Sequence, residues 1–369
     1  DTNKTVLSGH GGRIHFAKVS GNLHAGVFAT WNSPGLDIND IGYMRTTDEK
    51  MAISWLQYNI WEPFWIFRNI RFNVSDWFGW NFGNKYVDGG MSANFHAQLK
   101  NLWYISYGGN LNSQSYSTHL LRGGPAIYTP GRRSHWLWMS SNPQKKLRIT
   151  FNASSGGEFG KTMTYFNVNS SITWKPVDNF NISVIPSYNH IERSLQYVTT
   201  ETVDEEDRFI FGAINQNIMR LSVRMNLTLS PEVTLQYWGQ PFFATGAYSE
   251  FKQITDPLNS EYSNRFSLYD DNQISYNSDE EYYNIDENRD GAVDYSFDKP
   301  DFNLREFLSN FVFRWEYRPG STVFLVWSQS RDCYDTFGEL SINEDLPVLL
   351  DEKPYNVFLI KFSYRIGVN

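Results

Sequence analysis

The run from Phe311 to Ser328, FVFRWEYRPGSTVFLVWS, sets the pattern for the whole chain. Phe311, Phe313, Trp315 and Tyr317 alternate with Val312, Arg314, Glu316 and Arg318. A period of two places an aromatic set on one face of an extended strand and a mostly charged set on the other. Pro319-Gly320 then predicts a tight turn, because Pro presets φ and Gly accepts a positive φ. A second strand, Thr322 to Gln329, leads away with a continuous apolar run from Val323 to Trp327.

The same unit recurs from the amino end. Residues 11–32 read as a hairpin turning at Ser20-Gly21-Asn22, and residues 33–49 as a polar loop. Met51 to Ile60 and Phe67 to Trp80 read as strands joined around Glu62-Pro63. Gly83 to Gly90 reads as a glycine-rich loop, after which Met91, Ala93, Phe95 and Ala97 alternate with Asn94, His96 and Gln98. A strand near Leu102 to Tyr107 leads into a long loop ending about Arg133.

Further alternating segments follow at 135–139, 147–153 and 166–174, with turns at Ser141-Asn142-Pro143 and Lys175–Asp178. Phe180 starts another strand, and Val203–Asp207 forms an acidic tip. The longest alternation comes next: Leu221, Val223, Met225 and Leu227 oppose Arg220, Ser222, Arg224 and Asn226, while Asn215 and Asn217 interrupt the apolar face. Ser230-Pro231 turns the chain. Residues 254–302 form a long acidic, Tyr-rich loop, and Arg331 to Pro354 a second one before the last strand. No amphipathic helix is expected.

Short Pro- or Gly-containing turns thus alternate with longer loops, the layout of a bacterial outer-membrane barrel. The pattern predicts an all-β, transmembrane, antiparallel up-and-down β-barrel of about 14 to 16 strands with long extracellular loops. One barrel domain would take up residues 1–369. Any half-buried antiparallel sheet alternates, so a soluble sandwich or propeller is the plainer alternative. Aromatics near strand ends (Trp174, Trp315, Tyr317, Tyr364) favour the membrane, as interfacial girdles do. So does strand length, since ordinary strands average about 5 to 6 residues.

Composition shifts this picture little. Aromatic residues make up 17% of the 369, and the formal charge of −8 argues against a nucleic-acid partner. A mean hydropathy of −0.48 is that of a soluble protein. It weighs little against a barrel, in which only alternate strand residues meet lipid. No apolar run approaches the roughly 20 residues of a membrane helix. Cys333 is the single cysteine, which excludes an intrachain disulfide. No leader is visible at Asp1; a mature chain, a fragment and a cytosolic protein all remain open.

The segment Pro300 to Arg331, PDFNLREFLSNFVFRWEYRPGSTVFLVWSQSR, resembles a signature of a family of unknown function found in Bacteroidota. Leu36–Glu49 and Leu229–Ile254 are similar to other parts of that family. Its members usually carry a secretion signal and an amino-terminal domain similar to family-nine carbohydrate-binding modules. The resemblance implies that this chain corresponds to the carboxy-terminal barrel portion, in the outer membrane of a Gram-negative bacterium. It implies no established activity.

The sharpest chemical motif is IDENRDGAVDYSFD, Ile285 to Asp298. Asp286, Asn288 and Asp290 sit at positions one, three and five of a Ca²⁺ loop, Gly291 at six and Asp294 at nine. Phe297 stands where the bidentate Glu belongs, and Asp298 follows as a substitute. A backbone carbonyl near Ala292 would assist. The ion would be structural; a merely solvated acidic loop is the alternative.

A second set is basic. Arg148, Arg220, Arg224, Arg314, Lys361 and Arg365 share the polar phase and would line the lumen, with Lys146, Arg318, Glu232 and Glu316 near them. They would attract anions or dock a plug, or else pair with acids across strands. The seven histidines show no metal spacing, and no nucleophile elbow or P-loop is present. The expected function is therefore a non-enzymatic outer-membrane barrel acting in surface transport or assembly. Its partners would be the lipid bilayer and other outer-membrane proteins or lipoproteins. A passive porin-like channel and an outer-membrane hydrolase are the rival readings.

Overall fold

The alternation along the chain becomes hydrogen-bonded pairing in the computed structural model, which describes residues 8–44 and 46–367. The first strands are β1 (Gly11–Lys18), β2 (Leu23–Asn32), β3 (Glu49–Ile60), β4 (Phe67–Trp80), β5 (Tyr86–Leu99) and β6 (Tyr104–Asn112). A small pair, β7 (Ser115–Ser117) and β8 (Ile127–Thr129), precedes β9 (Arg132–Ser140), β10 (Leu147–Glu158) and β11 (Met163–Val177). The longest strands are β12 (Phe180–Val203), β13 (Glu206–Ser230) and β14 (Val233–Ile254). Short strands β15 (Phe266–Leu268), β16 (Ile274–Asn277), β17 (Tyr282–Ile285) and β18 (Tyr295–Asp298) follow. Then come β19 (Phe302–Arg318), β20 (Ser321–Asp335), the helix α1 (Ile342–Asp351) and β21 (Tyr355–Ser363).

The main sheet has 16 strands in the order β1-β2-β3-β4-β5-β6-β9-β10-β11-β12-β13-β14-β19-β20-β21, with β15 added to β14. Apart from the inserted short elements, each strand pairs with its neighbours in sequence, so the sheet is an antiparallel up-and-down meander. β1 and β21 stand at the two ends of this order. Two-residue turns explain the tightest reversals. Asp204 and Glu205 both adopt positive φ, 51° and 65°, the signature of a type I′ hairpin turn. Gly320 adopts φ +79° between β19 and β20, a conformation that costs a residue with a Cβ.

The chain divides into two compact units. The first comprises Asp1–Leu137, Ser155–Thr164 and Gln253–Ser267. Its strands β1 to β6 keep a two-faced register, with irregularities only at the two ends of the β4–β5 pairing. Phe72, Val74, Asp76 and Phe78 of β4 lie opposite Tyr58, Leu56, Ser54 and Ala52 of β3. Asn73 and Arg71 lie opposite Asn94 and His96 of β5 on the other face.

Gly89 and Gly90 belong to β5, not to the loop expected at 83–90. Gly90 pairs with Trp77, and the Leu111 carbonyl together with the Trp77 indole occupies the space a Cβ would need. Glycine here marks a close ring approach within a strand, which sequence alone reads as a turn.

The second unit comprises Trp138–Ser154, Tyr165–Lys252 and Leu268–Asn369. In it β12 and β13 pair along most of their length, Val184 opposite Val223 and Ser183 opposite Arg224. The expected loop at 254–302 is largely structured. Strands β16, β17 and β18 form their own sheet, packed through Ile285, Tyr295 and Phe297 against Ile210 and Phe251. Strands this short, set among Asp and Asn, carry too few alternations to be read in advance.

A helix was not expected, and α1 lies within the presumed loop 331–354. Pro347 sits inside it and reads as a helix breaker in isolation. Tertiary contacts hold it in place. Arg305 of β19, 6% exposed, sets Nε 3.1 Å from Asp345 Oδ1 of α1 and also pairs with Asp335. Asn303 Nδ2 donates to the same Asp345 oxygen at 2.9 Å, and the Ser341 N–H donates to Oδ2 at 2.8 Å.

Asp345→Ala is expected to strip Arg305 of its most buried partner and to cost about 3 kcal/mol of local stability. Hydrogen exchange over Ile342–Asp351 should quicken while the amides of β19 and β20 keep their protection. Unchanged exchange in α1 would show that the ion pair does not anchor it.

Candidate functional site

The layer over the second unit is built from the residues that close its core. Phe251, Tyr283 and Phe297 form a ring cluster, with centroids 4.6 Å apart for Phe251–Tyr283 and 5.2 Å for Phe251–Phe297. Such pairs add about 0.5–1.5 kcal/mol each beyond buried area. Charged contacts fasten the rim: Arg208 Nε lies 3.1 Å from Glu287 Oε1, and Arg289 pairs with Asp270 at 2.7 Å. The Arg289 hydrogen bond holds the Asp270 carboxyl below the usual carboxylate range. The layer therefore has sources of order of its own besides any bound ion.

Five residues of the expected Ca²⁺ motif, Asp286, Asn288, Asp290, Ala292 and Asp294, all fall in the connection between β17 and β18. Their oxygens engage the loop's own backbone. Asp290 N–H lies 3.1 Å from Asp286 Oδ1 and 2.8 Å from Asn288 Oδ1. Gly291 N–H donates to Asp286 Oδ2 at 2.8 Å, and Glu287 N–H to Asp294 Oδ2 at 2.7 Å. Gly291 supplies the sharp turn with φ +89°.

Asp298 stands apart, paired with Tyr282 at the other end of β18, about 10 Å of strand beyond Tyr295. Phe297, which takes the place of the bidentate Glu, is 4% exposed and belongs to the core of the layer. Among the described residues no three or more His, Cys, Asp or Glu side chains converge closely enough to hold a metal ion.

Of the six basic residues, Arg314 and Lys361 lie on one rung of the sheet, each opposite Phe324 of β20. Arg314 pairs with Glu316 of its own strand at 2.6 Å. Arg148 Nε donates to the Lys145 carbonyl at 3.4 Å, and Lys361 Nζ lies 6.0 Å from the Phe324 ring centre. Arg365 follows the end of β21, where its N–H donates to Ser321 Oγ at 3.0 Å. Arg220 and Arg224 are exposed, and neither has a hydrogen bond or ion pair among the described residues. Arg224 lines a depression of about 380 Å³ with Asn226, Gln236, Trp238 and Asn310. Two neighbouring contacts fix its walls: Trp238 Nε1 donates to Ser222 Oγ at 2.9 Å, and Asn226 Nδ2 to Asn181 Oδ1 at 3.1 Å. A free guanidinium among amides suits a polar or anionic solute.

The polar face of the first unit carries a ladder of amides and an imidazole. Asn73 Nδ2 donates to Asn94 Oδ1 at 2.7 Å, His96 Nε2 lies 2.9 Å from that oxygen, and His96 Nδ1 lies 2.7 Å from Ser106 Oγ. A hydroxyl, an imidazole and an amide in series resemble the parts of a nucleophilic site. Ser106 is only 3% exposed, however, so a substrate has no approach to its oxygen. The series acts as cross-strand bracing.

A family model described as Domain of unknown function (DUF5916) matches residues 1–369. No curated protein matches the chain.

The tyrosines of the layer give it a pH response. The Tyr269 and Tyr295 hydroxyls lie 2.8 Å apart, and burial pushes Tyr295 up to about 12 and raises Tyr269 as well. A phenol raised on folding contributes stability that is whole below the ordinary tyrosine value of about 10 and is lost as pH climbs through the raised one. The layer should hold at about pH 9 and loosen toward pH 12. Phenolate absorbance and limited proteolysis of residues 266–298 should change together there. Titration of every tyrosine near its ordinary value would rule out this packing.

Proposed function

The chain belongs to the DUF5916 family over residues 1–369, and from that premise we propose that it is an outer-membrane β-barrel of a Gram-negative bacterium. Its role is non-enzymatic, in surface transport or assembly. The observation that carries this reading is the side on which exposed apolar residues fall. In the first unit Phe16, Val27, Leu56, Phe72, Val74 and Met91 share one face by register, and all are exposed. In the second unit Leu325, Trp327, Phe358, Ile360 and Phe362 do the same. A soluble monomer rarely shows one apolar patch above about 300–600 Å². Here the apolar face continues from strand to strand within each unit.

The height of the face supports the reading further. On β13 the apolar set runs from Met219 to Leu229 and stops at Asn217, which bonds Tyr188 and His190 at 2.8 Å each. That stretch is about 33 Å of strand, or about 25 Å when tilted by the usual 35–45°, the height of a barrel's apolar band. On β14 Val233, Leu235 and Tyr237 continue the set opposite Trp315, Phe313 and Phe311 of β19, and the set ends before Phe243, which is buried opposite Arg305. Asn215 and Asn217 are then the upper border of the band. Backbone groups at a sheet edge cannot be left open in hydrocarbon, so the proposal includes closure of the meander into a barrel. A Bacteroidota origin and an amino-terminal carbohydrate-binding-like domain in the full-length protein belong to the same proposal.

The polar face supplies the lumen in this reading, with Arg220 and Arg224 free to attract anions. A passive channel competes on the strength of the depression at Arg224 and is separated from a filled barrel by planar-bilayer conductance. A structural Ca²⁺ ion at Asp286, Asn288, Asp290, Asp294 and the Ala292 carbonyl, with Asp298 outside the loop, remains part of the proposal. The spacing of these residues in the β17–β18 connection supports it, and the ion would have to draw together carboxylates that now accept backbone N–H bonds. Partners are the bilayer and other outer-membrane proteins or lipoproteins.

Val223→Arg is expected to hinder insertion into vesicles more than Ser222→Arg. A charge on the lipid face at mid-bilayer costs about 2–4 kcal/mol, whereas a lumen position stays hydrated. Equal folding yields would count against the membrane reading.

With Ca²⁺ present, residues 282–302 should resist protease better than with chelator, and Asp286→Ala with Asp290→Ala should remove the difference. Identical cleavage of the native chain in both conditions would remove the metal from the proposal.

A further inference from the structure

Among the described residues of strands β1 to β6, one acidic residue stands on the exposed apolar face of the first unit. On β4 that face reads Phe72, Val74, Asp76, Phe78, and the three apolar residues are 47%, 46% and 45% exposed. The partners across the ladder are Ser54 on β3 and Met91 on β5. Ser54 Oγ donates to Asp76 Oδ1. No other hydrogen bond or ion pair to Asp76 is found among the described residues. A carboxylate has about four lone-pair sites, so most of its accepting capacity is unfilled.

Beside Asp76 the face is hollow. Ile14, Phe16, Val27, Ala52, Ser54 and Phe78 line a depression of about 380 Å³ that also reaches Asp76. Small side chains at Ala52 and Ser54 create it between larger neighbours. The surface therefore offers an apolar recess with one acceptor at its wall.

Position along the strand decides what could fill the recess. Asp76 lies about 13 Å from Trp80 and about 20 Å from Ile70 along β4, at about 3.3 Å per residue. Lys50 faces Trp80 across the ladder and marks one border of the band, so the carboxylate sits about 13 Å inside that border and away from the headgroups. Ionisable residues at such depth are found facing protein or water and pair with one another.

We propose that Asp76 and the adjoining recess form a docking site for a membrane-embedded protein segment that presents one basic side chain within an apolar stretch. The proposal rests on the reading of this face as lipid-facing. The basic group would complete the acceptor sites that Ser54 leaves, as a charge-assisted hydrogen bond in low dielectric. The flanking apolar residues of the segment would fill the recess. Specificity would come from the single charge, because an otherwise identical apolar segment meets lipid equally well elsewhere.

The test uses the full chain reconstituted in phosphatidylcholine vesicles, with co-flotation read first. Two labelled helical peptides of about 22 apolar residues serve as probes, one with a central Lys and one with a central Gln. Energy transfer from the chain's tryptophans reports binding. The Lys peptide is expected to bind about tenfold more tightly than the Gln peptide. Asp76→Asn and Asp76→Leu should abolish that preference, and the second suits lipid even if the first folds poorly. Ala52→Phe should weaken both peptides by filling the recess. Equal binding of the two peptides, or a preference that survives Asp76→Asn, overturns the proposal. So does Asp76-dependent self-association without peptide, which assigns the face to a second copy. Failure of the native chain to co-float removes the lipid-facing reading and the proposal with it. Co-flotation without a Lys preference removes the docking site alone.

Discussion

Cross-strand register is the constraint on which the rest of this structure depends. A pleated strand has a side-chain period of two, so one residue of slip would exchange its faces. In β3 to β5 the register sets Asn73 beside Asn94 and Phe72 beside Phe95. In β12 and β13 it sets Val184 beside Val223 and Ser183 beside Arg224. Amides and hydroxyls can then bond across strands on one face, while the other is mostly hydrocarbon, broken in the first unit by Asp76 and Ser54. Slipping the register would separate these amide and hydroxyl partners, and each polar group left buried and unpaired costs about 1–3 kcal/mol.

Elements outside this ladder are held by different forces. The layer of β16, β17 and β18 is anchored by an aromatic cluster around Phe251 and Phe297, with Arg208–Glu287 at its rim. The helix α1 is anchored by a buried charge, Asp345 against Arg305. The two anchors differ in tolerance. An aromatic cluster loses stability gradually as rings are trimmed, whereas a buried ion pair leaves an uncompensated charge when one partner goes.

The chemistry of the faces follows from what the register leaves unpaired. His96, Asn94 and Ser106 satisfy one another and so brace the sheet. Arg220 and Arg224 have no such partners among the described residues and remain available to a solute. Asp76 is the converse case on the apolar face, an acceptor only partly filled by Ser54. Interest at each place lies in the hydrogen-bonding capacity the fold has not used.

The alternation from Leu221 to Asn226 and from Phe311 to Arg318 was enough to establish the strands, their faces and the succession of hairpins. Those properties depend on local periodicity and on turn residues such as Pro319-Gly320. The spacing of Asp286, Asn288, Asp290 and Asp294 was equally visible in the letters, whereas their place in the connection between β17 and β18 came from the structure. Tertiary structure decided the rest. Ile285, Tyr295 and Phe297 belong to strands too short to show a period, and their burial depends on Ile210 and Phe251, far away in sequence. The helix around Pro347 is stabilised by an arginine about forty residues earlier, a contact no local propensity encodes. Gly90 sits within a strand whose neighbours leave no room for a Cβ, because the Leu111 carbonyl and the Trp77 indole both approach it closely. The break at Asp76 in the run Phe72, Val74, Asp76, Phe78 was visible in the letters, but its recess exists only once β1 to β4 are side by side. Local pattern determines which face a residue takes; only the pairing of distant segments determines what that face meets.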